Sequence, residues 1–226
     1  MISAVITCAG NHSRFGINKL FEMLGGEPVF IKTLRQFERS KKVDEVVAAV
    51  PRGRMDEFKK LIKKAGIKVK VVAGGRERYV SAYNGVKASK GEYVLIHDGA
   101  RPLVSVRLID KVVREVKKHG AVMAAVETHT CVKYINKKNY DVQECLPRAK
   151  TWLGQTPHAF KREIILKAYE GAMKKKYEGM DDCELVRKSG GKVKVIEGDW
   201  RNTKITVPSD LVVVREYWKL RGGKDA

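Results

Sequence analysis

Short, uninterrupted apolar runs alternate along this chain with amphipathic stretches of helical length, and that rhythm limits the folds open to it more than any other feature. Ala4 to Thr7, Glu45 to Val50, Val69 to Val72, Tyr93 to His97 and Ala121 to Val126 read as strands buried on both faces. Between them, 29–39, 53–65, 77–88 and 106–118 carry apolar residues at the spacing of one helix face. Strands joined through helices run parallel, so the rhythm predicts an α/β fold, a mostly parallel, Rossmann-like sheet covered on both faces. Ligands of such sheets sit in the crevice outside the carboxyl ends of the strands. The functional residues are therefore expected where the apolar runs stop.

No repeat, low-complexity tract or linker interrupts the 226 residues, which predicts one domain over 1–226. The rhythm fails at 131–153. This segment is polar and mixed in charge, with Lys137, Lys138 and Asn139 as a turn, and reads as a β-hairpin arm. A hairpin with so little core of its own needs another surface, which in a homodimer is its copy. Helices at 161–175 and 182–188, strands Lys192 to Glu197 and Thr203 to Val207, and a closing helix from Ser209 complete the pattern.

Forty-six Lys and Arg against 26 Asp and Glu give a formal charge of +20, which suits a nucleic-acid binder and equally an enzyme for polyphosphates. A non-catalytic polyanion binder needs a basic stripe with stacking aromatics. Here lysines such as Lys59, Lys60, Lys63 and Lys64 fall on solvated helix faces, and Trp152, Trp200 and Trp218 are far apart in sequence. The reading is therefore no nucleic acid. Charges break every apolar stretch too often for a membrane span, and Met1 to Ala9 lacks the basic start of a signal peptide, so a cytoplasmic protein is expected. Cys8, Cys131, Cys145 and Cys183 have no paired spacing and are expected as reduced thiols.

Three expected strand ends carry polar, glycine-bearing segments. The first runs into TCAGNHSRFGINKLF (7–21), where small residues offer backbone N–H groups to phosphates beside Arg14 and Lys19. It matches neither the dinucleotide nor the Walker glycine pattern, and no acidic residue ends the second strand, which counts against a dehydrogenase. The third ends in AGGRERYVSAYNG (73–85) and the fourth in IHDGARP (96–102), where Asp98 can hold a hard cation that bridges phosphates. Lys204, in NTKITVPSDL (202–211), would alone pass for a solvated lysine.

Taken together, CAG at 8–10, Arg14, NKLFEMLGGEPVFIKTLRQF from Asn18, GGRER from Gly74, HDGARP from His97, QTPHAF from Gln155, MDD from Met180 and NTKIT from Asn202 stand in the order and spacing of a known family. The chain resembles the 2-C-methyl-D-erythritol 4-phosphate cytidylyltransferases over nearly its whole length. The resemblance implies a GT-A-like nucleotidyltransferase domain whose β-arms interlock in a homodimer. It implies transfer of CMP from CTP to a sugar-alcohol phosphate, with Mg2+ as cofactor. Residue by residue it implies Ala9 and Gly10 as loop contacts to CTP, and Arg14 and Lys19 as phosphate-binding cations. It implies Gly75 and Arg78 on the cytosine side, Ser81 at ribose or base, and Asp98 as the metal ligand. Arg101 and Lys204 fall near the acceptor and the reacting phosphate, and Arg148 matches an arginine that reaches into the neighbouring subunit.

Three positions depart from the family pattern. His12 stands where the loop usually has glycine, and its Cβ limits how closely backbone can wrap phosphate. Thr130 and Cys131 replace Asp-Thr at the foot of the arm, exchanging a hydroxyl for a weaker thiol donor. That exchange keeps a ribitol 5-phosphate or other polyol-phosphate cytidylyltransferase as the alternative reading. QTPH replaces QTPQ, and His158 reads as a surface residue at a helix start as readily as a ligand.

Overall fold

A computed structural model describes residues 1–9, 17–175 and 181–223. Eleven strands are present among them. They are β1 (Ile2–Thr7), β2 (Met23–Leu24), β3 (Glu27–Pro28), β4 (Glu45–Val50), β5 (Lys70–Ala73), β6 (Tyr93–Asp98), β7 (Ala121–Glu127), β8 (Lys133–Ile135), β9 (Val142–Cys145), β10 (Trp152–Lys161) and β11 (Lys194–Glu197). The α-helices are α1 (Val29–Arg39), α2 (Met55–Lys64), α3 (Arg78–Ala88), α4 (Val106–His119), α5 (Arg162–Lys174), α6 (Asp182–Lys188) and α7 (Pro208–Leu220).

Seven strands form one sheet in the order β11-β7-β10-β6-β1-β4-β5. All its pairings are parallel except those of β10, which runs antiparallel to both β6 and β7. Apolar side chains pack in two clusters. One gathers Phe30, Leu34 and Phe37 of α1 with Ile109 and Val113 of α4, and the other gathers Val86 of α3 with Ile165 and Tyr169 of α5. Fully buried runs such as Ala4–Ile6 and Val47–Val50 follow from this cover on both faces.

The expected strands and helices before residue 130 are present within two residues at each end. Two later expectations are corrected. Thr203 to Val207 forms no strand, although its alternation suggests one. The segment lies instead against the loop after β6, where Ile205 N–H donates to Ala100 O at 2.9 Å, and no neighbouring strand completes a ladder. His158 is neither a surface residue nor at a helix start. It is buried in β10, beside a register shift between Gln155 and His158 where Pro157 needs no ladder hydrogen bond. The hairpin at 131–153 is present as β8 paired with β9, but Trp152 and Leu153 already belong to β10, so the returning limb of the arm continues into the sheet.

Candidate active site

Register places the strand ends side by side. Thr7 pairs with Asp98 on one flank and Ala49 on the other, and Val50 pairs with Ala73. The segments beyond these residues therefore open on one crevice, as the apolar runs predict.

On one side of it, Ala9, Gly74, Gly75 and Ser81 lie together. The Ser81 hydroxyl accepts from Gly75 N–H at 3.1 Å and donates to the turn of backbone around it. A Cβ on Gly74 would stand 2.5 Å from Ala9 Cβ and 3.0 Å from Ser81 Oγ, so only glycine lets the two loops approach this closely. Cys8, buried beneath them, has its thiol pushed up to about 12 by burial and by the charge on Asp98. It is not a nucleophile.

Asp98 ends β6 as a buried carboxylate among three cations. Lys204 Nζ lies 2.9 Å from Oδ2, Arg78 Nε 2.9 Å from Oδ1, and Arg101 Nε 3.4 Å from Oδ2. Burial opposes ionisation of Asp98, yet Lys204, Arg78 and Arg101 together hold its carboxyl well below the usual range. These groups line a cleft of about 170 Å³ with Gln155, Thr156, His158 and Asp181. The three cations and Asp98 are thus brought together from α3, the loop after β6 and the segment before α7.

Neutral hydrogen bonds hold this cluster in place. Burial pushes the His97 imidazole down to about 3, so the ring is neutral. Its Nε2 lies 3.2 Å from Arg101 O, which can only accept, so Nε2 carries the proton and Nδ1 accepts from Thr156 Oγ1 at 2.9 Å. Thr156 Oγ1 in turn accepts from Asp98 N–H at 3.1 Å. Asn202 donates to Thr156 O at 2.7 Å, and its own carbonyl accepts from Arg101 Nη1 at 2.7 Å. HDGARP, QTPH and NTKIT are therefore one hydrogen-bonded unit.

A second carboxylate escapes a reading of the sequence. Asp182, fully buried at the start of α6, accepts from Arg78 Nη1 with both oxygens at 2.9 Å, from Tyr169 at 2.8 Å, and from His158 Nδ1 at 2.9 Å. The MDD and QTPHAF motifs mark both members of this pair, but nothing in the sequence joins them.

The remaining expected residues are distributed along the chain. Lys19 is buried at the end of a short 3-10 helix, Ile17–Leu20. Gly10, His12, Arg14 and Met180 fall outside the described residues. Cys131 and Arg148 are both exposed on the arm, with Arg148 Nη2 3.4 Å from Cys131 Sγ. Arg148 lowers the thiol's pKa by hydrogen bond and charge, with Lys133 adding to the effect. They line a separate concavity with Thr128, His129 and Leu146, and do not meet Asp98 within the chain.

An open α/β sheet with an anion-seeking cleft at its strand ends defines a nucleotide-handling enzyme rather than a structural module. The family model for IspD, 2-C-methyl-D-erythritol 4-phosphate cytidylyltransferase, matches residues 2–219. The chain is 40% identical over 215 residues to the 2-C-methyl-D-erythritol 4-phosphate cytidylyltransferase of Geobacillus kaustophilus, covering 92% of this chain and 93% of that protein. It is 38% identical over 230 residues to that of Pelotomaculum thermopropionicum, covering 99% and 96%. Among solved structures, the 4-diphosphocytidyl-2C-methyl-D-erythritol synthase of Anaerococcus prevotii superposes with a TM-score of 0.85 at 31% identity, over 97% of this chain and 98% of that one. This chain belongs to the 2-C-methyl-D-erythritol 4-phosphate cytidylyltransferase family, and so to the nucleotidyltransferases.

Proposed function

We propose that the protein transfers CMP from CTP to 2-C-methyl-D-erythritol 4-phosphate and releases pyrophosphate, as a homodimer whose arms are exchanged. The observation that carries the catalytic part is Asp98, held ionised among Arg78, Arg101 and Lys204 where the strand ends converge. A phosphate oxygen of the acceptor attacks the α-phosphorus of CTP in line with the bond to the leaving pyrophosphate. A phosphate nucleophile needs no general base, and charge collects on the α-phosphate and the leaving group, so placed cations are the main resource. Lys204 faces that charge from the cleft, and Arg101 is aimed by its bond to Asn202 O. Arg14 and Lys19 take the phosphates, Ala9, Gly10, Gly75 and Ser81 the nucleoside, and Arg78 the base side.

No cluster of three acidic, His or Cys side chains gathers as a metal centre among the described residues. A lone carboxylate fits Mg2+, which is commonly held by one or two carboxylates and by substrate phosphates. Asp98 would hold it, and Lys204, on a stem one-third exposed, is the partner free to move aside. When bound, Mg2+ supplies charge neutralisation across the phosphates.

Support for the dimer is the arm itself. Tyr134, Ile135, Val142, Trp152 and Leu153 are exposed apolar side chains along it, and Arg148 and Cys131 lie away from the cleft of their own chain. Delivered by the partner, Arg148 would hold the acceptor phosphate beside Cys131. All four cysteines are free thiols, which suits the cytoplasm. Among the described residues no helix is long and apolar enough to cross a membrane.

Purified protein supplied with CTP and Mg2+, with methylerythritol phosphate or ribitol 5-phosphate in turn, tests the assignment through pyrophosphate release. Faster turnover of ribitol 5-phosphate would transfer it to the polyol-phosphate alternative.

A further inference from the structure

Neither arginine beside Asp98 meets it in the way arginine usually meets a carboxylate. A guanidinium and a carboxylate pair most strongly fork on fork, through two parallel N–H···O bonds. Arg101 and Arg78 each reach Asp98 through Nε alone. Each has a second partner that turns the rest of its fork away. For Arg101 this is Asn202 O, which takes Nη1 at 2.7 Å. For Arg78 it is Asp182, both of whose oxygens take Nη1 at 2.9 Å. Arg78 Nη2 is left buried with no hydrogen-bond partner. A buried, unspent guanidinium N–H is costly, and the fork-on-fork partner for it would be Asp98 itself.

Asp182 is built to resist that collapse. It is fully buried, its oxygens are fixed by Tyr169 at 2.8 Å and His158 at 2.9 Å, and its carboxyl is held below the usual range despite burial, chiefly by Arg78 and then by His158. Neither His158 nor Tyr169 reaches Asp98 by a hydrogen bond that would give it a direct part in the cleft's chemistry. We propose that Asp182 is a positioning residue that keeps Arg78 from closing its fork over Asp98, so that Arg78 holds Oδ1 through Nε alone and the carboxylate can still exchange Lys204 for the hard cation that accompanies the nucleotide. Neutralising Asp182 lets Arg78 turn Nη2 onto Asp98 and seal both oxygens. Lys204 cannot do this, because a single ammonium on a flexible stem moves aside where a tethered fork does not.

The inference rests on the assignment of Asp98 as the Mg2+ ligand, and calorimetry of CTP binding with and without Mg2+ separates the two. Wild-type protein should bind CTP at least tenfold more tightly with Mg2+; no gain there would refute the parent assignment instead. In Asp182→Asn the Mg2+ gain should fall to less than twofold, and the Mg2+ concentration for half-maximal turnover should rise about tenfold. Affinity for CTP without Mg2+ should itself fall wherever Arg78 is moved or removed, so the quantity compared is the Mg2+ gain, a ratio taken within each protein. Arg78→Met, which removes the sealing fork, should keep the gain, and in the double variant Arg78→Met should restore what Asp182→Asn lost. Melting temperatures read beside the calorimetry separate this from a merely structural role, in which the Mg2+ gain would rise and fall with stability across the three variants. A full Mg2+ gain in Asp182→Asn, or no restoration in the double variant, overturns the proposal. Should Asp182→Asn fail to fold, Arg78→Met decides alone, since loss of the gain in that variant also overturns it.

Discussion

Acid should weaken this protein through His97 before any of its buried carboxylates titrates. His97 is fully buried, packs its ring 4.9 Å from that of Phe37, and uses both ring nitrogens in neutral hydrogen bonds. Its pKa is about 3 in the fold against an ordinary value of 6.5. A histidine with a depressed folded pKa contributes stability that is complete above its unfolded value and lost as pH falls below it, because only the unfolded chain then takes up the proton. The slope grows from half of about 1.4 kcal/mol per pH unit at pH 6.5 to nearly all of it below pH 5.5, so moving from pH 6.5 to 4.5 should remove about 2 kcal/mol through this residue. Asp98 and Asp182, both depressed, add stability that is lost only as pH falls below the ordinary carboxylate value of 3.8, beneath this window. Urea unfolding at fixed protein concentration, for wild type and His97→Gln, measures the effect. With a urea dependence of about 2 to 3 kcal/mol per molar, the wild-type midpoint should drop by about 1 M more than that of the variant. The variant starts lower, having lost the ring, but its slope with pH should be shallower. Parallel slopes would refute the reasoning, since they would mean that His97 takes up its proton inside the fold.

Further outcomes are expected at the site. Lys19→Ala and Asp98→Ala should each lower kcat about a hundredfold or more while circular dichroism stays native, as one preorganised electrostatic contact contributes about 3 to 4 kcal/mol; near-normal turnover in both would remove them from the machinery. Cys131→Thr should preserve or improve use of methylerythritol phosphate, and Cys131→Leu should raise the KM of the acceptor but not of CTP; an effect confined to CTP would place the foot of the arm wrongly. Co-refolding inactive Lys19→Ala with inactive Arg148→Ala in equal amounts should restore about a quarter of wild-type activity, because random pairing makes half the dimers mixed and one site in each of those is whole. No restoration would show that Arg148 serves its own chain.

What the sequence disclosed follows from where its signals are local. β4 and α1 match the expected bounds because a run such as EVVAAV, or the apolar face of VFIKTLRQF, carries its burial in its own spacing. β10 was not legible as a strand. Gly154 and Pro157 break its pattern, and Gln155, Thr156 and His158 look polar, yet all three are buried because Asp199 pairs with Gln155, His97 and Asp98 of β6 with Thr156, and Asp182 of α6 with His158. Thr203 to Val207 misled in the opposite sense, with strand-like alternation but no edge to join. At the site, Asp98 and Lys204 stood out through motif and position. Asp182 did not, since its partner Arg78 lies 104 residues away and a carboxylate opening a helix reads as an ordinary surface residue.

The long sequence separations in the ionic cluster have a consequence for synthesis. A ribosome delivers Arg78, Asp98 and Arg101 first, the strand that carries Thr156 some fifty residues later, and Asp182 and Lys204 last. Until then Arg78 lacks the fixed counter-ion of α6, and Asp98 lacks the ammonium nearest to it. A chain released early retains β1, β4, β5 and β6 but carries arginines with too few carboxylates to bury them against, which is a costly core to close. Translation thus reaches its final quarter before the cleft can assemble, and truncated products are left without a stable way to imitate the finished enzyme.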